Sequence, residues 1–262
     1  MNGAATDKGD MTIAQYYNQC VVSELMKEYP DVGLPDGIKL SKALTTIYEA
    51  TGDMFVFIID EYDLPIRDDK YSSELDDYIS FLVSLFKSEE TNYTIALAYL
   101  TGIMPIIKEK TQSKLNNFKE YTMLNAKDMA QFMGFTEDEV KSLSTQSGME
   151  FDELKKWYDG YDLEGLEIYS PKSVISAIED HECSDYWVET SSYEALKDYI
   201  LMDFNGIKND VVSMVSGEHI SVNVSKFTNS RIVNSKDDVF TALIRLGYLG
   251  YKYSDKACFI PN

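Results

Sequence analysis

The chain has 262 residues, 44% hydrophobic and 26% charged. That is room for one large domain or two modest ones with an ample core, and it is not the composition of a disordered chain. A formal net charge of −20 argues against a general attraction to nucleic acid or anionic lipid.

Residues 1–10 are small, polar and of mixed charge, unlike a signal peptide, and read as a frayed tail. Residues 11–28 then predict an amphipathic helix with Ile13, Tyr17, Cys20, Val21 and Leu25 on one face. Pro30, Gly33, Pro35 and Gly37 mark a loop, and residues 40–50 predict a second helix closed by Gly52. No apolar run anywhere in the chain reaches the length that crosses a bilayer.

Phe55-Val56-Phe57-Ile58-Ile59 runs straight into Asp60-Glu61-Tyr62-Asp63. A continuous apolar run of this kind suits a strand buried on both faces, as in the parallel sheet of an α/β domain. The acids emerge at its carboxyl end, where open α/β sheets bind their ligands. This is the Walker B arrangement of a P-loop NTPase, in which the strand-end Asp helps hold Mg²⁺ and a following Glu orients or deprotonates the attacking water. Asp60 is then the metal-side, cofactor-binding acid and Glu61 the catalytic one; the plain alternative is a strand that ends in a solvated acidic turn. Pro65 breaks the backbone into a polar loop, a helix follows over 73–87, and residues 93–100 form a second buried strand ending in Thr101-Gly102. Strand, helix, strand at this spacing implies a right-handed parallel crossover. Thr101 would lie beside Asp60 as a sensor of the γ-phosphate, or be an ordinary turn residue.

Residues 118–124 predict a third strand, after which short helices are expected at 126–132 and at 136–143, the latter headed by a capping box from Thr136 to Glu139. Another helix ends at Asp159-Gly160-Tyr161, an extended piece covers 166–169, and Ser170-Pro171 start a further helix. Tyr186-Trp187 read as packing anchors. A second capping box, Ser191 to Glu194, heads a helix through 201, and a helix at 209–216, an extended piece at 220–224, a helix ending at Gly247 and a hairpin over 248–260 complete the chain. That order is the order of a winged helix. Residues 221–262 carry six basic and three acidic residues, leaving −23 on the remainder, an asymmetry that suggests a separate C-terminal module.

A Walker B strand needs a phosphate cradle of backbone N–H groups with a Lys. No G-x-x-x-x-G-K-[ST] occurs, and Gly33-Leu34-Pro35-Asp36-Gly37-Ile38-Lys39-Leu40-Ser41 has the wrong spacing and an inserted proline. Asp60, Glu61 and Asp63 have no nuclease-type E-x-K partner on a predicted strand, since Glu153-Leu154-Lys155 falls in a helical pattern. The acid-rich stretch 68–77 lacks the central Gly and terminal Glu of a calcium loop. Cys20, Cys183 and Cys258 are odd in number and scattered, and His181 and His219 are isolated, which argues against a disulfide framework, a zinc site or a His-based triad and fits a reducing cytoplasm.

Seven motifs in order carry a family resemblance. They are Ile59-Asp60-Glu61-Tyr62-Asp63-Leu64-Pro65-Ile66, Leu100-Thr101-Gly102, Gly134-Phe135-Thr136-Glu137-Asp138-Glu139-Val140 and Trp157-Tyr158-Asp159-Gly160-Tyr161. Tyr169-Ser170-Pro171-Lys172-Ser173, Tyr186-Trp187 with Thr190, and Gly247-Tyr248-Leu249 complete the set. Together the chain resembles the predicted AAA-ATPase-like proteins of bacteria, which often carry a PD-(D/E)XK nuclease-like domain at their C-terminus. The resemblance implies Walker B roles for Asp60 and Glu61, a sensor role for Thr101, and ATP with Mg²⁺ as cofactors. It carries Trp157, Tyr158, Gly160 and Tyr161 over as a motif of unknown role; aromatic clusters of this kind are read as packing. Two departures stand out: Leu64 replaces the family's Lys, and no counterpart of its opening R-P-R-R-F-G-K-S phosphate loop is present, so the chain is expected to be an excised or degenerate middle piece. The expectation is an α/β protein comprising a partial P-loop NTPase parallel sheet (1–125), a mostly helical region (126–190) and a winged-helix-like module (191–262). Its partners are a nucleotide once the phosphate loop is supplied, or a protein if the chain is a non-catalytic regulatory or interaction module. A membrane is not expected, and nucleic-acid contact is confined to 221–262.

Overall fold

Residues 8–102, 115, 117–186, 206–226 and 235–261 are described by a computed structural model of the protein. The chain divides into two units, Met1–Lys119 and Glu120–Asn262.

In the first unit, helix α1 (Ile13–Glu28) starts at a capping box: the Thr12 side chain accepts from the Gln15 N–H, and the Gln15 side chain accepts from the Thr12 N–H. Its buried face runs through Ile13 and Val22 with Tyr17 and Leu25 beside them, while Cys20 is exposed, so the stripe is rotated from the predicted one. The acid-rich stretch after the central strand anchors this helix. Glu74 accepts from the Ile13 N–H at 2.7 Å and from Lys8 Nζ at 2.8 Å, and Asp77 accepts from the Thr12 hydroxyl at 2.6 Å. Helix α2 (Leu40–Thr51) ends at Gly52, whose φ of 80° supplies the left-handed cap.

Strands β1 (Phe55–Ile59) and β2 (Ile95–Leu100) form a two-stranded parallel sheet. Between them lie the short helix α3 (Leu64–Arg67), a 3₁₀ segment at Asp69–Glu74 and helix α4 (Leu75–Phe86). Pro65 therefore sits in the first turn of a helix, where its missing N–H costs nothing, and does not open a polar loop. Phe55, Phe57, Ile59, Ile95, Ala98 and Leu100 pack on a core built from Leu44, Tyr78, Ile79, Leu82 and Phe86. The expectation that β1 is buried on both faces is wrong: Val56 and Ile58 are 59% and 72% exposed, because among the described residues nothing covers the face opposite the helices.

The second unit corrects two further expectations. No third strand forms over 118–124, where only an isolated bridge joins Thr122 and Asn125; the Thr122 hydroxyl accepts from the Leu124 N–H at 3.2 Å and closes a local turn in place of a ladder. The region 126–190 is also more than helical. Strand β3 (Phe135–Thr136) precedes α5 (Glu137–Ser147) and α6 (Phe151–Tyr158), and α6 passes directly into β4 (Asp159–Leu163) and then β5 (Leu166–Tyr169). The three strands pair antiparallel in the order β3-β5-β4. Asp159-Gly160 does not end the structure there: a register shift between Asp159 and Tyr161 takes up the extra residue as a bulge. Glu164 and Gly165, at φ 59° and 91°, close the β4–β5 hairpin in the left-handed geometry such tight turns require. Helix α7 (Pro171–Asp180) starts on the Ser170 cap as expected and ends at His181 in the left-handed region.

At the end of the chain come α8 (Ile207–Val215), β6 (Ile220–Ser221), α9 (Lys236–Arg245), β7 (Gly250–Lys252) and β8 (Ala257–Phe259). The strands form an antiparallel sheet of order β6-β8-β7, packed on Ile207, Met214, Phe240, Leu243, Ile244 and Cys258. The predicted helix at 191–201, with Trp187 and Thr190, lies outside the described residues. The protein is thus a mixed α/β chain. No helix among the described residues is long and apolar enough to cross a membrane.

Candidate functional site

The parallel register pairs Ile59 with Leu100, so the two strands release Asp60 and Thr101 side by side. The ladder continues past both strand ends: the Thr101 N–H donates to the Ile59 carbonyl at 2.9 Å, and the Tyr62 N–H donates to the Thr101 carbonyl at 3.0 Å. These bonds fix the backbone beneath the acids. The Thr101 hydroxyl donates to Asp60 Oδ1 in a short contact. Asp60 is exposed and Glu61 half-buried. Glu61 holds φ at 53°, a left-handed conformation that costs a non-glycine residue roughly 1 kcal/mol or more and is concentrated at functional turns.

Behind this edge the chain turns inward. Tyr62 is nearly buried and Asp63 fully so, and the Tyr78 hydroxyl donates to the Tyr62 carbonyl at 2.7 Å. Burial holds the Tyr78 phenol well above its ordinary range, so at neutral pH it is a fixed donor. A Cβ at position 102 would lie 2.5 Å from Asp63 Oδ1 and 2.9 Å from Tyr62 Cε1. Gly102 therefore lets the end of β2 close against the acidic turn. The sequence carried this signal in the Thr-Gly dipeptide, but the buried status of Asp63 was not legible from it.

The three candidate residues Asp60, Glu61 and Thr101 thus meet at one sheet edge. Their donor set fits the cation half of a Mg·nucleotide site, because Mg²⁺ is held by one or two carboxylates together with substrate phosphates. Among the described residues only Oδ1 of Asp60 is engaged, by Thr101. Among the described residues no group of three or more His, Cys, Asp or Glu forms a metal cage of its own. The phosphate half does not fit anything described. In the loop 33–39 that most resembles a phosphate loop, the Leu40 N–H that opens α2 donates to Asn18 Oδ1 at 2.7 Å, and Asn18 Nδ2 donates to the Ile38 carbonyl at 3.1 Å. A side chain already occupies the helix end that a phosphate would need.

The motifs of the second unit are knitted to one another. The Tyr158 hydroxyl donates to the Ser184 carbonyl at 3.0 Å and accepts from the Ser184 N–H at 2.9 Å, and the Tyr161 hydroxyl donates to the Gly247 carbonyl at 2.6 Å. A Cβ on Gly134 would come 2.5 Å from Ile168 Cγ2 and 2.7 Å from the Tyr169 carbonyl oxygen. Tyr158 and Tyr161 are packing residues, as read; Trp157 is 42% exposed and is not. Lys155 joins Glu137 and Glu167 at 2.8 and 2.9 Å, and Lys141 also reaches Glu137. Lys141 first, then Lys155, hold the Glu137 carboxyl down at about 2. Burial, and then the Glu167 charge, push Asp159 up. The three cysteines are free thiols. His219 stacks on Phe259 at 5.1 Å and lies 3.8 Å from Asp255.

The chain is similar to a protein of Azotobacter chroococcum mcd 1 described as an uncharacterized protein in the vnfD 5′ region, with 26% identity over 168 residues that cover 62% of this chain and 32% of that protein. It therefore spans about a third of the length of the curated relative it matches. No protein-family model matches the chain, and no solved structure does.

Proposed function

We propose that Asp60, Glu61 and Thr101 are the acidic half of a Mg·ATP site, carried by a partial P-loop NTPase-like sheet and inactive until a phosphate-binding loop is supplied. Asp60 would hold the cation. Glu61 orients a water at the same edge, and Thr101 orients Asp60. When bound, Mg²⁺ with the nucleotide phosphates supplies the electrophile; the chain itself supplies only positions and charge. The observation that carries the reading is the Thr101-to-Asp60 hydrogen bond at the carboxyl end of a parallel strand pair, the place where such sheets take their ligands. Free cysteines are in keeping with a cytoplasmic setting. The order of α8, β6, α9 and the β7–β8 hairpin is in keeping with a winged-helix-like end.

Paramagnetic Mn²⁺ tests the cation half directly. In the presence of ATP it is expected to broaden the amide resonances of Asp60, Glu61 and Thr101 selectively, and Asp60→Asn is expected to abolish the effect. Broadening centred elsewhere, or unchanged in Asp60→Asn, would overturn the assignment. A second reading, a non-catalytic interaction module, is favoured by one specific observation: the bare apolar face of the β1–β2 sheet.

A further inference from the structure

The second unit holds a pocket of about 230 Å³ where the end of α8 meets β8 and the bulge of β4. Its aromatic wall is set by strand register. Ile220 pairs with Cys258 and Ser221 with Ala257, so the same ladder carried one step outward brings His219 opposite Phe259. The two rings stack at 5.1 Å with 29° between their planes. On its other side Phe259 pairs with Gly250 of β7. A Cβ at position 250 would come 2.5 to 2.9 Å from three atoms of that ring, so the missing side chain is what lets the ring lie over the strand.

The second wall comes from the turn that closes α8. The Gly217 N–H donates to the Met214 carbonyl at 2.9 Å and the Glu218 N–H to the Ser213 carbonyl at 3.0 Å. With Gly217 at a φ of 89°, this is a Schellman cap, and it fixes the backbone that carries Glu218 and His219. Met214 and Ile260 add apolar surface, and Gly160 lines the pocket from the β4 bulge. Packing accounts for Tyr158 and Tyr161 of the Trp157–Tyr161 motif but not for its glycine; a glycine at such a point lets another group approach the backbone closely. The Glu218 side chain is exposed, with no ion pair or hydrogen bond among the described residues.

Size and chemistry together narrow the ligand. The pocket is smaller than the roughly 300–1,000 Å³ that encloses a drug-sized ligand, so it suits the head of a ligand and not a whole cofactor. An anion would meet the Glu218 carboxylate, whereas a cation is drawn to a chain of net charge −20. An ammonium is compact and strongly hydrated. A guanidinium is flat and weakly hydrated, stacks on aromatic rings and gives a carboxylate two parallel N–H donors.

We infer that this pocket binds a planar guanidinium group, with the Phe259–His219 pair as the wall it lies against and Glu218 accepting its N–H donors. The pocket shares no residue with the β1–β2 edge, so guanidinium binding and nucleotide binding are separate measurements.

The test follows amide shifts of the full chain during titration with butylguanidinium, with butylammonium, with adenosine and with a blocked Gly-Arg-Gly peptide. Butylguanidinium should shift Gly160, Gly217, Glu218, His219 and Phe259 saturably, and butylammonium should bind several-fold more weakly. Glu218→Gln, at an exposed position, should weaken binding about tenfold or more, as for loss of a hydrogen bond to a charged group. Phe259→Leu should weaken it about two- to fivefold, the range of an exposed cation–π contact. His219→Phe should retain it, since the stacked wall remains. A peptide that binds as tightly as butylguanidinium would identify the occupant as an arginine of a partner protein; a weaker one would identify a free small molecule, and both support the site. Four results would overturn it: no saturable shift of these amides, equal affinity for butylammonium, indifference to Glu218→Gln, or tighter binding of adenosine to the same amides.

Discussion

A methyl group at position 102 would meet the buried Asp63 carboxyl and the Tyr62 ring at 2.5 and 2.9 Å, and neither neighbour is the free end of a flexible surface chain. Gly102→Ala is expected to destabilise the first unit by about 1–3 kcal/mol, the range for overpacking a filled site, read as a lower midpoint in urea. An unchanged midpoint would mean that the end of β2 does not close on Asp63. Glu61 offers the opposite experiment. Its φ of 53° suits glycine, so Glu61→Gly should raise stability by up to about 1 kcal/mol relative to Glu61→Gln, the relief of left-handed strain less the added chain entropy. Equal midpoints for the two variants would show that the turn is not strained. The pair separates the backbone cost of Glu61 from the charge that the proposed chemistry uses.

Among the elements, what was legible in the sequence was mostly local. The capping box at Thr136, the Ser170-Pro171 start and the apolar run of β1 all specify structure within a few residues, and each element formed where those signals stand. Other features depended on partners distant in the chain. β4 was missed because Asp159-Gly160 reads as a helix stop, whereas pairing with β5 makes it a bulged strand. The burial of β1 was misjudged because an apolar run states what could be covered, not what covers it. Asp60 and Thr101 can be placed side by side from the sequence because strand–helix–strand connectivity implies a parallel pair, and the register bears this out. The Glu137–Lys155–Glu167 bridge ties α5, α6 and β5, and it should have a pH signature. Glu137 is held at about 2, below its ordinary 4.5, so its contribution is complete above the ordinary value and is lost as pH falls from there toward 2. Glu137→Gln should remove that part of the acid-induced loss of melting temperature. Its side chain is 32% exposed, so salt should shrink the difference between variant and wild type. Parallel profiles for the two proteins at low salt would contradict the bridge.

At the scale of the molecule, two units are described, and their charge is unevenly shared along the chain. The strongly acidic remainder argues against a nucleic-acid role for the body, while the C-terminal 42 residues at net +3 set the one place where such contact is electrostatically affordable. The proposal for the first unit is that the acids at the end of β1 form the cation half of a nucleotide site. Titration of Mn²⁺ into the full chain and its Asp60→Asn variant in the presence of ATP, followed by amide line broadening, is the decisive measurement. Broadening centred on Asp60, Glu61 and Thr101 that Asp60→Asn abolishes is expected. Broadening that survives Asp60→Asn would contradict the proposal, because the cation would then be held by residues other than these acids.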